Sequence, residues 1–170
     1  MPVTLEQLLL SRERRVQHQK DLLGANPGKS LLCLTVQLPG AEKRTDISLK
    51  IAKAGVEAVR AAFSPDFEEL KDLETGFEGY FILSMPPLPA KRLACQVEDS
   101  HPLGRMMDLD ICHLFDRQPM PLSRGDIGLA PRRCLLCDNE ARYCMRARLH
   151  TQEELLARIK EMVEVVCVND

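Results

Sequence analysis

The 170-residue chain contains no tryptophan, two tyrosines and five phenylalanines, so aromatic residues make up only 4% of it. Proteins that hold single-stranded nucleic acid without sequence preference stack bases on aromatic side chains, and this chain has few to offer. It also lacks an excess of positive charge. Against 23 Lys and Arg stand 25 Asp and Glu, giving a formal net charge of -2 and a pI near 6.1, which excludes the broad basic field that attracts long polyanions. No apolar run approaches the ~20 residues a membrane helix needs. The opening Met1-Pro2-Val3-Thr4-Leu5-Glu6-Gln7 lacks the basic-then-apolar layout of a signal peptide. These absences predict a cytoplasmic protein with neither a membrane nor a nucleic acid as partner. There is no internal repeat and no low-complexity segment, and the length suits a single domain over residues 1–170.

What is present fits a folded domain: 45% hydrophobic and 28% charged residues can bury a core and still dissolve. The seven cysteines are an odd number, and three crowd between Cys134 and Cys144, which in a reducing compartment argues against a disulfide framework. Helical periodicity with a Thr4/Gln7 capping box predicts a helix over residues 4–20, ended by the turn formers from Gly24 to Gly28. An apolar run predicts a buried strand over 31–37, and periodicity a second helix over 46–62, interrupted by Gly55. Strands are expected at 67–73 and 80–85, a short helix at 90–98 after the prolines, a strand at 106–114 and a pairing segment at 119–124. The clearest element is a final helix, with a Thr151/Glu154 capping box and an apolar stripe from Leu155 to Val166. This order predicts an α+β fold, a mixed sheet with flanking helices.

Four constellations could carry chemistry. Asp108-Leu109-Asp110 lies in a strand candidate, where alternation places both carboxylates on one face. Paired hard oxygens suit Mg²⁺ bridging substrate phosphates, while the bland reading is a solvated strand face. His101-Pro102-Leu103-Gly104-Arg105 stands just before it, offering a close backbone approach at Gly104 and a phosphate-neutralising Arg105. Taken alone, His101 is as well read as a capping or surface histidine. On the first helix Arg12, Arg15 and Gln19 share a face and suit one polyanion, or are simply solvated beside Glu13. Cys134, Cys137, Cys144 and His150 supply enough ligands for a tetrahedral zinc, or are buried reduced thiols. From His101 to His150 the chain has eight Arg and no Lys, and flat guanidinium groups suit phosphate oxygens. Gly24-Ala25-Asn26-Pro27-Gly28-Lys29-Ser30 is not a phosphate loop, because it is one residue short between the glycines and follows a helix instead of a strand. The residues alone leave open a zinc-containing module that binds protein or RNA without catalysis.

Leu9-Leu10-Ser11-Arg12 with Arg15 and Gln19, Ser100-His101-Pro102-Leu103-Gly104-Arg105, Asp108-Leu109-Asp110, and Pro131-Arg132-Arg133-Cys134-Leu135-Leu136-Cys137 with Cys144, Arg146 and His150 follow one another in order. In this the chain resembles the citrate lyase holo-acyl-carrier-protein synthases, also called apo-citrate lyase phosphoribosyl-dephospho-coenzyme A transferases. The resemblance implies a nucleotidyltransferase-type reaction and a nucleotidyltransferase-like fold. A serine of the citrate lyase acyl-carrier subunit would attack the ribose-proximal phosphate of triphosphoribosyl-dephospho-coenzyme A and expel pyrophosphate. On this reading Asp108 and Asp110 hold magnesium and act with Arg105 and His101. Arg12, Arg15, Gln19, Gly104, Arg132, Arg133, Arg146 and Arg148 bind substrate, and Cys134, Cys137, Cys144 and His150 are the candidate zinc ligands. More distantly the chain is similar to malonate decarboxylase holo-acyl-carrier-protein synthases and polymerase-β-type nucleotidyltransferases. It departs from their pattern, since Ser100 and Gly104 stand only a few residues ahead of Asp108. The same analogy implies a third acid, for which Asp126 and then Asp116 are the candidates.

Overall fold

A computed structural model describes residues 2–168, the side chains of Cys167 and Val168 excepted. Met1, Asn169 and Asp170, the ends of the expected 1–170 domain, lie outside the described residues. The chain runs α1 (Leu5–Ala25), β1 (Ser30–Val36), α2 (Asp46–Phe63), β2 (Phe67–Leu73), β3 (Gly76–Leu83), α3 (Pro87–Ser100), β4 (Met107–Phe115), β5 (Gln118–Pro121), α4 (Ala141–Ala147) and α5 (Gln152–Val168). The α+β class expected from the sequence is present. The strands form one sheet in the order β2-β3-β1-β4-β5, and all four ladders are antiparallel.

Both expected capping boxes form: Thr4 exchanges hydrogen bonds with Gln7, and Thr151 with Glu154. A third, between Thr45 and Ser48, starts α2. The first helix continues past its expected end at residue 20, and the Asn26 amide closes it by donating to the Leu22 carbonyl at 2.9 Å. Gly55 is inside α2 because the helix lies tight on the sheet. A Cβ there would come 3.0 Å from a Leu34 methyl, so the residue that weakens the helix locally permits its packing.

The two faces of the sheet differ. One carries Leu32, Leu34, Phe81, Leu83, Met107, Leu109 and Ile111 and, with residues of α2, α3 and α5, makes the main core. The other, crossed by α1, has a smaller apolar cluster of Leu23, Leu31, Cys33, Tyr80, Ile82 and Cys112. Toward the opposite end of those strands this second face becomes polar, and the candidate site is there.

Candidate active site

Along β4, Met107, Leu109 and Ile111 are fully buried in the main core, so the intervening Asp108 and Asp110 project together from the α1 face. Strand register gives them neighbours: Thr35 pairs with Asp108 and Glu78, and Cys33 with Asp110 and Tyr80. The Asp110 carboxyl is pushed up to about 6, first by burial and then by the charge of Asp108 beside it. The Gln37 amide donates to Asp108 Oδ2 at 3.2 Å. Two carboxylates forced together and partly dried attract a cation to the site.

The first helix forms one wall. Gln19 donates to the Cys33 sulfur at 3.3 Å, one strand from Asp110, and Arg15 pairs with the buried Glu78 at 2.8 Å, in the row that continues through Thr35 to Asp108. Arg15 is thus already engaged, with Tyr80 donating to the second Glu78 oxygen. Arg12 is exposed and makes no ion pair among the described residues. It stands near Lys43, whose pKa is lowered first by burial and then by Arg12.

The other wall rises from the edge of β4. Because β5 pairs only from Cys112 onward, the backbone around Leu109 has no strand on the side away from β1, and buried peptide groups need partners. Helix α3 supplies them. The Leu109 N–H donates to Glu98 Oε1 at 2.8 Å, and Lys91 donates to the Leu109 carbonyl at 3.3 Å. Arg132 donates to the Met107 carbonyl at 2.7 Å, forms an ion pair with Glu98 and comes within 3.7 Å of Asp108. Arg124 bridges Glu98 at 3.4 Å and Asp99 at 2.5 Å. Arg105 makes no ion pair among the described residues. Its pKa is lowered by burial and then by Arg132 nearby, the position of a guanidinium that lacks an anion.

The other residues singled out in the sequence are placed as follows. His101 accepts the Leu103 N–H on Nδ1 at 3.0 Å just past α3. That assigns the neutral ring proton to Nε2, and burial lowers the pKa of the ring. Gly104 faces protein: a Cβ there would lie 2.1 Å from the Glu98 carbonyl oxygen, so the glycine lets the chain pass against the end of α3. Gly104→Ala is expected to destabilise the protein by on the order of 3 kcal/mol, read as a lowered urea midpoint; an unchanged midpoint contradicts this packing role.

Of the two third-acid candidates, Asp126 accepts from the Ser123 N–H and hydroxyl. Asp116 sits in the β4–β5 turn with φ 48°, six residues and roughly 20 Å along the strand from Asp110. The acid that the structure does bring beside the pair is Glu98. Its signal in the sequence was Lys91 and Glu98, seven residues apart and so on one face of a helix.

The Cys-rich segment folds into a compact knuckle. Arg133 and Glu140 form a short bridge, the Cys134 N–H donates to the Asn139 carbonyl at 2.7 Å, and α4 follows. Ligand atoms of Cys134, Cys137, Cys144 and His150 all lie within 4.8 Å of one another, with Cys137 Sγ 3.4 Å from both Cys144 Sγ and His150 Nε2. Three thiols and an imidazole at this spacing can hold a metal ion such as zinc. Arg132, at the start of the knuckle, reaches the acids. Arg133 (paired with Asp138 at 3.6 Å), Arg146 and Arg148 are exposed on its outside.

Among the described residues no helix is long and apolar enough to cross a membrane. Residues 3–166 match the family described as apo-citrate lyase phosphoribosyl-dephospho-CoA transferase. The chain is 35% identical over 164 residues to a probable apo-citrate lyase phosphoribosyl-dephospho-CoA transferase of Streptococcus pyogenes, covering 95% of this chain and 85% of that protein. A Vibrio cholerae protein of the same description is 36% identical over 172 residues, covering 95% and 92%. The Haemophilus influenzae protein CitXG is 33% identical over 167 residues, and this chain spans 35% of its length. With the match running almost from end to end through α1, the acid strand and the knuckle, the chain belongs to the apo-citrate lyase phosphoribosyl-dephospho-CoA transferase family.

Proposed function

We propose that this enzyme transfers the phosphoribosyl-dephospho-coenzyme A group from triphosphoribosyl-dephospho-coenzyme A to a serine of the citrate lyase acyl-carrier subunit, releasing pyrophosphate. The observation that carries the reading is the meeting of Asp108 and Asp110 with Arg132 at one strand edge, with Arg105, which makes no ion pair among the described residues, near Arg132. Acids that can hold a divalent cation and guanidiniums that can hold phosphate oxygens are both needed where a triphosphate is cleaved.

Asp108 and Asp110 fit Mg²⁺, since they offer hard oxygens side by side in a partly desolvated place. When bound there, the ion would neutralise phosphate charge and polarise the reacting phosphorus. The protein's own part is placement. Arg105 and Arg132 take the departing pyrophosphate oxygens, where their charge matters most as negative charge builds. Arg12 and Gln19 on α1 bound the opposite side and orient the remainder of the substrate. His101 holds the Leu103 turn, and through it the approach of Arg105. The attacking hydroxyl belongs to the carrier subunit, so no nucleophile is required of this chain. Cys134, Cys137, Cys144 and His150 hold a structural zinc that fixes the loop carrying Arg132.

The test is a transfer assay with purified carrier subunit, the triphosphoribosyl precursor and Mg²⁺. We expect the carrier to gain the mass of one prosthetic group, with one pyrophosphate released per group. A carrier of unchanged mass, together with zinc bound to the protein, would instead favour a binding module.

A further inference from the structure

We propose that Glu98 is a positioning residue for the acid pair: its carboxylate sets the strand between Asp108 and Asp110 and holds Arg132 back, leaving the pair free to take a divalent cation. The inference rests on the acid-pair reading above and extends it to a residue that touches neither cation nor substrate.

Glu98 is 3% exposed and stands at the centre of the β4 edge. Its Oε1 accepts the N–H of Leu109, the one residue between the two acids. That hydrogen bond replaces the strand partner which β5 does not provide at this position, and so fixes the pleat on which both carboxylates ride. The same Oε1 is ion-paired with Arg132 Nη2, while Oε2 faces Arg124 Nη1 at 3.4 Å. Arg132 therefore lies between two anions. Its partner by contact is Glu98, and Asp108 is the more distant one at 3.7 Å.

Were the charge at position 98 absent, the guanidinium would gain by swinging onto Asp108, where it would occupy the oxygen that a cation needs. Gly104 belongs to the same device. By letting the chain pass against the Glu98 carbonyl, it clamps the end of α3 and with it the height of the carboxylate above β4.

Glu98→Gln keeps the size and an acceptor for the Leu109 N–H but removes the charge that restrains Arg132. Mn²⁺ serves as the probe, its binding followed by water proton relaxation and its activation by carrier loading. The variant is expected to raise both the Mn²⁺ dissociation constant and the half-activating Mn²⁺ concentration about tenfold, the size typical of losing a partner behind a metal ligand. The KM for the triphosphoribosyl precursor should not rise, because a released guanidinium still attracts phosphate; a loosened fold would impair both. In an Arg132→Ala background, Glu98→Gln should leave the Mn²⁺ constant unaltered.

Unchanged Mn²⁺ constants, or the same tenfold rise with and without Arg132, would overturn the proposal. If Glu98→Gln does not fold, Arg132→Met reads the link from its other end. It should tighten Mn²⁺ binding severalfold, and weaker or equal binding is the contrary result. A wild-type enzyme that ignores Mn²⁺ overturns the acid-pair reading and this inference together, whereas a responsive wild type matched by Glu98→Gln overturns this inference alone.

Discussion

Replacing Asp108 and Asp110 together by asparagine is expected to lower carrier loading by roughly 10³-fold or more, about 4 kcal/mol of lost transition-state stabilisation. Asparagine keeps the shape and the hydrogen bond to Gln37, and removes the two charges that would bind the cation. Undiminished loading by the double variant would refute the site. The same substitution at Asp110 has an opposite effect on the fold. Burial and Asp108 raise its carboxyl from the model-peptide value of 3.8 to about 6, so the native state binds the proton more tightly than the unfolded chain does. Stability from this group is greatest below about pH 4, declines as pH rises toward 6, and above that the full penalty of roughly 3 kcal/mol applies. Asp110→Asn should therefore melt several degrees higher than wild type near neutral pH in the absence of divalent cations, with the gap closing near pH ~4. A variant that melts lower at neutral pH would show that Asp110 is not destabilised where it sits. An inactive but hardier variant is what a functional charge held against its own solvation should leave behind.

Withdrawing metal from the knuckle should have the second large effect. With zinc–sulfur bonds of about 2.3 Å, tetrahedral geometry separates sulfurs by about 3.8 Å, close to the 3.4 Å between Cys137 and Cys144. The Cys137 thiol is drawn down to about 6 by the Asn139 N–H and by His150, while burial pushes Cys144 up to about 12; a bound cation would favour the thiolate at both. Between Pro131 and His150 only Cys144 is buried, so the segment has little core of its own to hold it. Purified protein is expected to carry one zinc per chain. A strong chelator, or Cys137→Ser, should lower the melting temperature by roughly 10 °C and reduce loading on the order of 10²-fold, because Arg132 loses its anchor. Zinc, and not magnesium, should restore the chelated protein. Chelated protein that melts where the untreated protein does would show that the thiols are merely packed.

Much of this was legible in the residues because it depends on period alone. Alternation along β4 was sufficient to place Asp108 and Asp110 on one face, and β2 begins and ends where the apolar pattern put it. The capping boxes of α1 and α5 are local chemistry, readable at three-residue range. Other features depend on which elements become neighbours. Glu98 matters because β5 stops short of Leu109, a fact of sheet order that no window of sequence contains. Gly104 was recognised as a place of close approach, but that it approaches α3 could be learned only from the packing. The short α4 has no side-chain cap and its turns are held within the knuckle, so propensity gave no sign of it. The arginine-rich stretch divides for the same reason: Arg124 and Arg132 turn toward the β4 edge with Arg105 near them, while Arg133, Arg146 and Arg148 go to solvent.

The outer border of the sheet has a consequence for handling the protein. Among the described residues strand β2 has no neighbour on its far side, and it displays Phe67 and Leu70, each more than two-fifths exposed, the sort of margin along which copies zip together into aggregates. Between and beside them stand Glu68 tied to Arg60, Glu69 tied to His18 and Lys71, and Asp72 tied to Arg44. An incoming strand would have to strip water from this fringe of charge before it could reach the backbone, so pairing along this margin costs more than along a bare one of the same length.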